Sequence, residues 1–333
     1  MSDGYDVVIV GGGAAGLSAA LMLARARRTV VAIDAGTPRN APAAGVHGLL
    51  AREGIAPGEL LERGRAEVRG YGGHVVAGEA GAVGRAAEGF LVALTDGRSV
   101  RARPLVTTGL VDELPDLPGL RERWGRDVVH CHGWEVRDQA IGVLACGPMA
   151  VHQALLFRQW SAEVTFFSHT MLPPTGSEAE QLAARGIRVV QGEVAALEVV
   201  EDRLTGVRLS DGTVVRRTAL AVQSRMVARV AMLASLGLHP SQHPSGMGEF
   251  LPADPTGRTE TPGVWVAGNV TDLTAQVGAA AAAGAATTAQ INADLVTEDT
   301  RQAVAAYRAR QDSFSPESEA QLGELVMGDR RHG

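Results

Sequence analysis

The segment Asp6-Val7-Val8-Ile9-Val10-Gly11-Gly12-Gly13-Ala14-Ala15-Gly16 constrains the fold of this chain more than any other. An apolar run of strand length leads directly into G-x-G-x-x-G, and Leu17-Ser18-Ala19-Ala20-Leu21-Met22-Leu23-Ala24 continues it as a helix. Gly11 permits the tight turn, Gly13 lets a pyrophosphate approach the backbone, and Gly16 allows the helix to pack closely on the strand. The helix start, with Ala14 and Ala15, then faces the phosphates. A second strand is expected over residues 29–33, ending in Asp34, whose carboxylate accepts hydrogen bonds from an adenosine ribose and disfavours a 2′-phosphate. Strand, turn, helix and acid in this order point to an α/β protein that binds an adenine dinucleotide. These residues alone leave FAD and NAD both open.

Composition removes several alternatives. The chain has 333 residues and a formal charge of −6, and all 31 of its basic residues are Arg. Without Lys there is no Schiff-base chemistry, no pyridoxal phosphate anchor and no Walker A loop. A hydrophobic fraction of 45% and a net acidic charge argue against disorder and against nucleic acid as a partner. Two cysteines, Cys131 and Cys146, are too few for a disulfide framework or a four-ligand zinc site. They imply a reducing, cytoplasmic setting, and residues 1–6 lack the basic and apolar regions of a signal peptide. Residues 278–286, the most apolar stretch, are Gly and Ala, which suits a closely packed helix better than a membrane span.

Near the other end, Thr259-Glu260-Thr261-Pro262-Gly263-Val264-Trp265-Val266-Ala267-Gly268-Asn269-Val270 reads as a turn, a buried strand and a Gly-polar pair, followed by a small-residue helix over residues 276–295. Here the chain resembles the low-molecular-weight thioredoxin reductase family of flavoprotein disulfide reductases, through about Asp294. The resemblance implies an FAD-binding domain, with residue 269 on the ribityl chain and the start of the following helix, Ala275, Gln276 and Val277, facing the flavin. That family usually has Asp where this chain has Asn269, whose amide still offers an acceptor oxygen. Thr107-Thr108-Gly109 looks like the family's crossing segment, and Arg39, Asn40, His47 and Ala80 fall where related chains run along the flavin. The implied FAD contacts are therefore Gly11, Gly13, Ala14, Ala15, Gly16, Asp34, Arg39, Asn40, His47, Ala80, Thr108, Gly109, Gly268, Asn269, Ala275, Gln276 and Val277.

A second Rossmann-like turn follows, Ile141-Gly142-Val143-Leu144-Ala145-Cys146-Gly147-Pro148-Met149-Ala150, with a helix over residues 151–159. In the resembling reductases this is the NADPH domain. Here the first glycine is Ala145, and the next strand ends in Ser168-His169-Thr170, with neither the arginines an NADPH site uses nor the acid an NAD site uses. The expected organisation is two Rossmann-like domains, the second inserted in the first: an FAD-binding domain over 1–115 and 247–333, and over 116–246 a domain whose nucleotide site is degraded. His169 is a candidate partial substitute for the missing cations.

The stretch Val128-Val129-His130-Cys131-His132-Gly133-Trp134-Glu135 occupies the place where the resembling proteins, dithiol oxidases included, read C-x-x-C-H-G-[WY]-E. One cysteine remains, so no C-x-x-C disulfide forms, and the register of Cys131 against the missing pair stays open between a substitution and a deletion. What is left is a thiol between two imidazoles, which favour the thiolate. Cys131, His130 and His132 are the candidate catalytic residues, against the alternative that Cys131 is vestigial and both histidines are scaffold. Cys146 reads as a packed small residue. His239 and His243, among Pro and Ser, read as a surface loop, and the chain from residue 297 as a solvated helix with a frayed end. Alternating residues of an extended segment face opposite ways, so no metal site is expected at 130–132.

Taken together, these features point to an FAD-dependent thiol or dithiol oxidase. A small-molecule thiol, deprotonated by His130 or His132, gives its electrons to the flavin directly or through a mixed disulfide with Cys131, and dioxygen reoxidises the flavin. The alternatives are an NAD(P)H-dependent flavin disulfide reductase and a catalytically silent flavin-binding protein. The resemblance also implies a homodimer, and composition implies no membrane or nucleic-acid partner.

Overall fold

A computed structural model describes residues 4–130, 133–312 and Ala320. The chain divides into two compact units, Met1–Thr287 and Thr288–Gly333. In the first, β1 (Val7–Val10) leads through the glycine turn into α1 (Ala14–Arg25) and then β2 (Val30–Asp34). Next come α2 (Pro57–Gly70), with Pro57 where a missing N–H costs nothing, and β3 (His74–Ala77). A three-stranded antiparallel sheet follows, made of β4 (Ala80–Arg85), β5 (Phe90–Leu94) and β6 (Ser99–Ala102), before β7 (Leu105–Thr108) and β8 (Leu110–Glu113).

The middle of the chain runs through β9 (Val128–Val129), β10 (Ile141–Leu144), α3 (Ala150–Phe157), β11 (Val164–Phe167), α4 (Gly176–Ala184) and β12 (Arg188–Val190). A second small antiparallel sheet holds β13 (Val194–Val200), β14 (Arg203–Leu209) and β15 (Val214–Val215). The chain continues through β16 (Ala219–Val222), β17 (Arg225–Ala228), the short pair β18 (Ser241–Gln242) and β19 (Glu249–Phe250), β20 (Val264–Ala267) and α5 (Val277–Asp312).

Two parallel five-stranded sheets organise these elements, in the orders β20-β7-β1-β2-β3 and β12-β11-β10-β16-β9. In the first, Val8 pairs with Val31 on one side and Leu105 on the other, and Val106 pairs with Trp265. The strands are apolar almost throughout because both faces are covered, which is why β1 and β20 stand out in the sequence. Val8, Val31, Leu105, Val264 and Val266 share a core with Phe90, Val92 and Val100 of the small sheet. Strands β8 and β17 pair antiparallel, Asp112 opposite Met226, on the chain's way into the second sheet and out of it.

Strand ends differ from the sequence expectation by a residue or two, and α3 begins at Ala150. The helices expected over residues 276–295 and from 297 form one unbroken α5 to Asp312, since neither Gly nor Pro follows Gly284 within it. Among the described residues no helix is long and apolar enough to cross a membrane, and no cluster of His, Cys, Asp and Glu could hold a metal ion.

The start of α1 is held by contacts too close for side chains. A Cβ on Gly16 would lie 1.9 Å from the Gly11 carbonyl oxygen, one on Gly284 2.1 Å from the Ala15 carbonyl oxygen, and one on Gly268 2.8 Å from the Ala15 Cβ. Nothing lies within 4 Å of a Cβ built on Gly13. Gly16→Ala is therefore expected to cost about 3 kcal/mol or more in urea denaturation of the apoprotein, while Gly13→Ala stays within about 1 kcal/mol. Equal losses in the two variants would contradict this packing.

Candidate functional site

The glycine turn fits a bound pyrophosphate. Gly11 has φ +118°, and a Cβ there would lie 2.3 Å from the Thr108 hydroxyl oxygen, so the chain crosses the turn at Thr108-Gly109. The Thr108 hydroxyl donates to the Val10 carbonyl at 3.2 Å and pins that crossing. Gly13 caps α1 in extended conformation with no side chain on the helix start, so the first-turn N–H groups at Ala14, Ala15 and Gly16 are left for an anion, with open space in front of Gly13.

Asp34 stands at the end of β2 directly over Gly12, where a Cβ would meet its carboxyl carbon at 2.1 Å. One oxygen takes the Gly36 N–H at 2.8 Å, and the other accepts Arg65 Nε at 3.0 Å and Nη2 at 2.8 Å. A carboxylate offers about four lone-pair positions, so room for a ribose hydroxyl remains. Arg65, on α2, has no local sequence signal: its partner is 31 positions away.

At the other side of the turn, Gly268 has φ +75° and Asn269 donates through Nδ2 to the carbonyl oxygens of Ala275 at 2.8 Å and Asp272 at 3.1 Å. This accounts for the amide at 269, since a carboxylate there would face two carbonyl oxygens. The same bonds fold residues 269–275 so that Gln276 and Val277 open α5, and Ala275 packs with Ala15, Ala267 and Ala280. The two helix starts thus meet at one place.

Arg39, implied to run along the flavin, is paired with a carboxylate of another element. It donates to both oxygens of Asp112 on β8, Nε at 2.6 Å and Nη2 at 2.9 Å, and the Ser224 hydroxyl donates to the same carboxylate at 2.6 Å. Burial raises the Asp112 carboxyl, but hydrogen bonds and charge from Arg39, the Ser224 hydroxyl and the charge of His130 outweigh it and hold the group below the ordinary carboxylate range. The Asn40 carbonyl accepts the Ala43 N–H in the turn that follows Arg39, and Ala80 lies in β4 opposite Leu94. His47 sits between two carboxylates, Glu53 and Glu135.

Of the candidate catalytic residues, His130 follows β9, whose register on β16 pairs Val129 with Ala221. Its carbonyl accepts the Gln153 side-chain amide at 2.6 Å, and its ring meets Trp124 edge to face at 6.1 Å. Cys131 and His132 lie outside the described residues. Cys146 is half-buried against the core of the second sheet, and burial pushes its thiol up to about 12, so it stays protonated at neutral pH.

The second turn is built differently from the first. A Cβ on Gly147 would lie 3.3 Å from the Gln223 side-chain carbonyl oxygen, and one on Gly246 3.2 Å from the Pro148 ring. A phosphate needs donors here, and the Pro148 ring supplies none. His169 accepts the Val194 N–H on Nδ1 at 3.0 Å, and burial, partly offset by the charge of Glu193, holds its imidazole below the ordinary range, so at neutral pH it is no cation for a phosphate. His243 closes a turn on Ser245 and packs on Phe250.

Two outcomes follow. Asn269→Asp should weaken FAD binding about 10-fold or more, because the new charge faces two carbonyl oxygens; an unchanged dissociation constant would contradict the contact. Asp112 has a lowered carboxyl, so its contribution to stability is complete above about pH 4 and is lost as the pH falls through the lowered value. Asp112→Asn should cost about 2 kcal/mol in urea denaturation at pH 7, and the gap from the parent should shrink by pH 3.

The profile of the pyridine nucleotide-disulphide oxidoreductase family matches residues 5–289. Thioredoxin reductase tcpT of Claviceps purpurea is 30% identical over 287 residues, 80% of this chain and 87% of that protein. Thioredoxin reductase aclD of Aspergillus oryzae is 30% identical over 286 residues, 80% of this chain and 88% of that protein. The crystal structure of HlmI superposes with a TM-score of 0.87 at 46% identity, covering 93% of this chain and 98% of that one. An oxidoreductase from Agrobacterium tumefaciens superposes with a TM-score of 0.82 at 35% identity, covering 88% and 99%. With the turn, the terminal acid and both helix starts in place for FAD, the chain belongs to the pyridine nucleotide-disulphide oxidoreductase family, as one of its thioredoxin reductase-like flavoproteins.

Proposed function

We propose that this protein is an FAD-dependent oxidase of small-molecule thiols that closes a dithiol to a disulfide with dioxygen as the electron acceptor. The observation that carries it is the second nucleotide turn, where Ala145 and Pro148 stand in the glycine pattern, the Pro148 ring and the Gln223 side chain leave little room at Gly246 and Gly147, and His169 is committed to Val194. A chain that takes no electrons from NAD(P)H takes them from its substrate. The single cysteine of residues 128–135 supports the same direction of flow, because electrons cannot leave toward a protein disulfide through a C-x-x-C pair. The names of the relatives, thioredoxin reductases, support sulfur as the reacting element.

Bound FAD supplies a two-electron acceptor that dioxygen can reoxidise. Each disulfide formed releases two electrons and two protons, which together convert dioxygen to hydrogen peroxide. The work of the chain is to move the protons and hold the sulfur. His130 takes the thiol proton, and the Asp112 carboxylate, ionised throughout the neutral range, stabilises the resulting imidazolium. Gln153 fixes the backbone at His130 through its carbonyl. Cys131 offers a thiolate for a mixed disulfide, which a second substrate thiol resolves.

An NAD(P)H-dependent disulfide reductase is the second reading. The parallel order of the second sheet, which retains β10, its turn and α3, favours it.

Anaerobic titration of the yellow holoprotein at roughly 450 nm separates the two. Dithiothreitol is expected to bleach the flavin, and air to restore it, while NADPH and NADH leave it oxidised. Rapid bleaching by either nucleotide would overturn the oxidase, and inertness to all three donors would leave only a flavin-binding role.

A further inference from the structure

His47 joins two parts of the chain that sequence separation keeps apart. Its Nδ1 lies 2.6 Å from a Glu53 carboxylate oxygen and its Nε2 3.2 Å from a Glu135 carboxylate oxygen. Glu53 also accepts the Gly48 N–H at 2.8 Å, and Val46 and Ile55 bridge across the loop between them, with Val46 N–H donating to the Ile55 carbonyl at 2.8 Å. That loop lies on the start of α5: a Cβ on Gly48 would be 3.5 Å from the Gln276 side-chain oxygen, and one on Gly278 3.6 Å from Leu49. Glu135 belongs to the single turn Trp134–Val136, which directly follows the candidate catalytic residues.

The Glu53 contact is a hydrogen bond and the Glu135 contact a close approach of ring nitrogen and carboxylate, so one ring touches both segments. The bond from His47 holds the Glu53 carboxyl below its ordinary range. The remaining charges on these two segments are engaged elsewhere, Arg52 with the Ala51 carbonyl and Arg137 stacked on Trp134 with its guanidinium 4.3 Å from the ring. A half-exposed ion pair adds little to global stability, so the consequence of this one lies in what it fastens.

We propose that His47 is a positioning residue, which through Glu135 fastens the turn Trp134–Val136 to the loop on the flavin-side start of α5. The inference deepens the proposed function and rests on it for the role of residues 130–135. Loss of either partner frees the loop at one end, and misplaces a reacting group whose geometry governs the rate.

The test uses the FAD-loaded protein with His47→Gln, Glu135→Gln, the double variant and His47→Arg, which offers donors to both carboxylates. Because the chain has no Lys, every tryptic cut falls at Arg, and cleavage after Arg52, within the loop, is followed by mass spectrometry. Each single Gln variant is expected to speed that cut about threefold, with the double variant no faster than either single. The limiting rate of anaerobic bleaching at saturating dithiothreitol is expected to fall about tenfold in each Gln variant, with partial rescue by His47→Arg. Parent-like cleavage in both singles, additive effects in the double, or an unchanged limiting rate would overturn the latch. If dithiothreitol fails to bleach the parent, the oxidase reading falls, and the cleavage rates still decide the latch.

Discussion

The approach of backbone to backbone around Ala15 is the constraint on which the site depends. Gly16 rests on the Gly11 carbonyl, Gly284 on the Ala15 carbonyl, and Gly268 on the Ala15 methyl, each closer than any side chain permits. Three segments far apart in sequence are thereby drawn to one point, and the starts of α1 and α5 with them. Helix starts carry unpaired N–H groups and the positive end of the helix dipole, so their convergence makes a place for phosphates and an electron-rich ring. The packing and the cofactor site are one feature: the glycines that let the helices meet also clear the space a dinucleotide fills.

Around that point, charge is used to join segments more than to line a cleft. Asp34 takes Arg65, Asp112 takes Arg39 and Ser224, and His47 takes Glu53 and Glu135. Two of these sets include residues implied to run along the flavin, Arg39 and His47: one joins the strand pair β8–β17, the other the turn Trp134–Val136. The loops beside the cofactor are thus connected to the elements that carry the chain into and out of the second sheet. Asp112 has an additional part, since the charge of His130 also bears on its carboxyl.

The sequence makes the first turn legible because everything it needs is local: an apolar strand, glycines at fixed spacing and a helix within a few residues. Thr259–Val270 is legible for the same reason, a buried strand bounded by Pro-Gly and Gly-Asn. The placements of Arg39 and His47 are not, because Asp112 and Glu135 are distant in sequence and nothing periodic marks the pairing. Arg65 is missed entirely, being one Arg among several on an exposed-looking helix. The two small antiparallel sheets escape notice because their strands are short and half-exposed, and α5 reads as two helices because the change from small to charged residues at about position 296 resembles a break where the backbone has no reason to stop. Asn269 reads from sequence as a departure from a family pattern; its carbonyl partners explain it.

The proposed oxidase stands or falls on the direction of electron flow, from a small thiol to dioxygen with no pyridine nucleotide involved. Its most direct measure is stoichiometry: dioxygen consumed and hydrogen peroxide formed per disulfide, in an oxygen electrode with a small dithiol and nucleotide-free holoprotein. Equal amounts of all three, sustained over many turnovers, are the predicted result. No uptake of dioxygen until NADPH or NADH is supplied would contradict the claim and return the second sheet to its role as the point of electron supply.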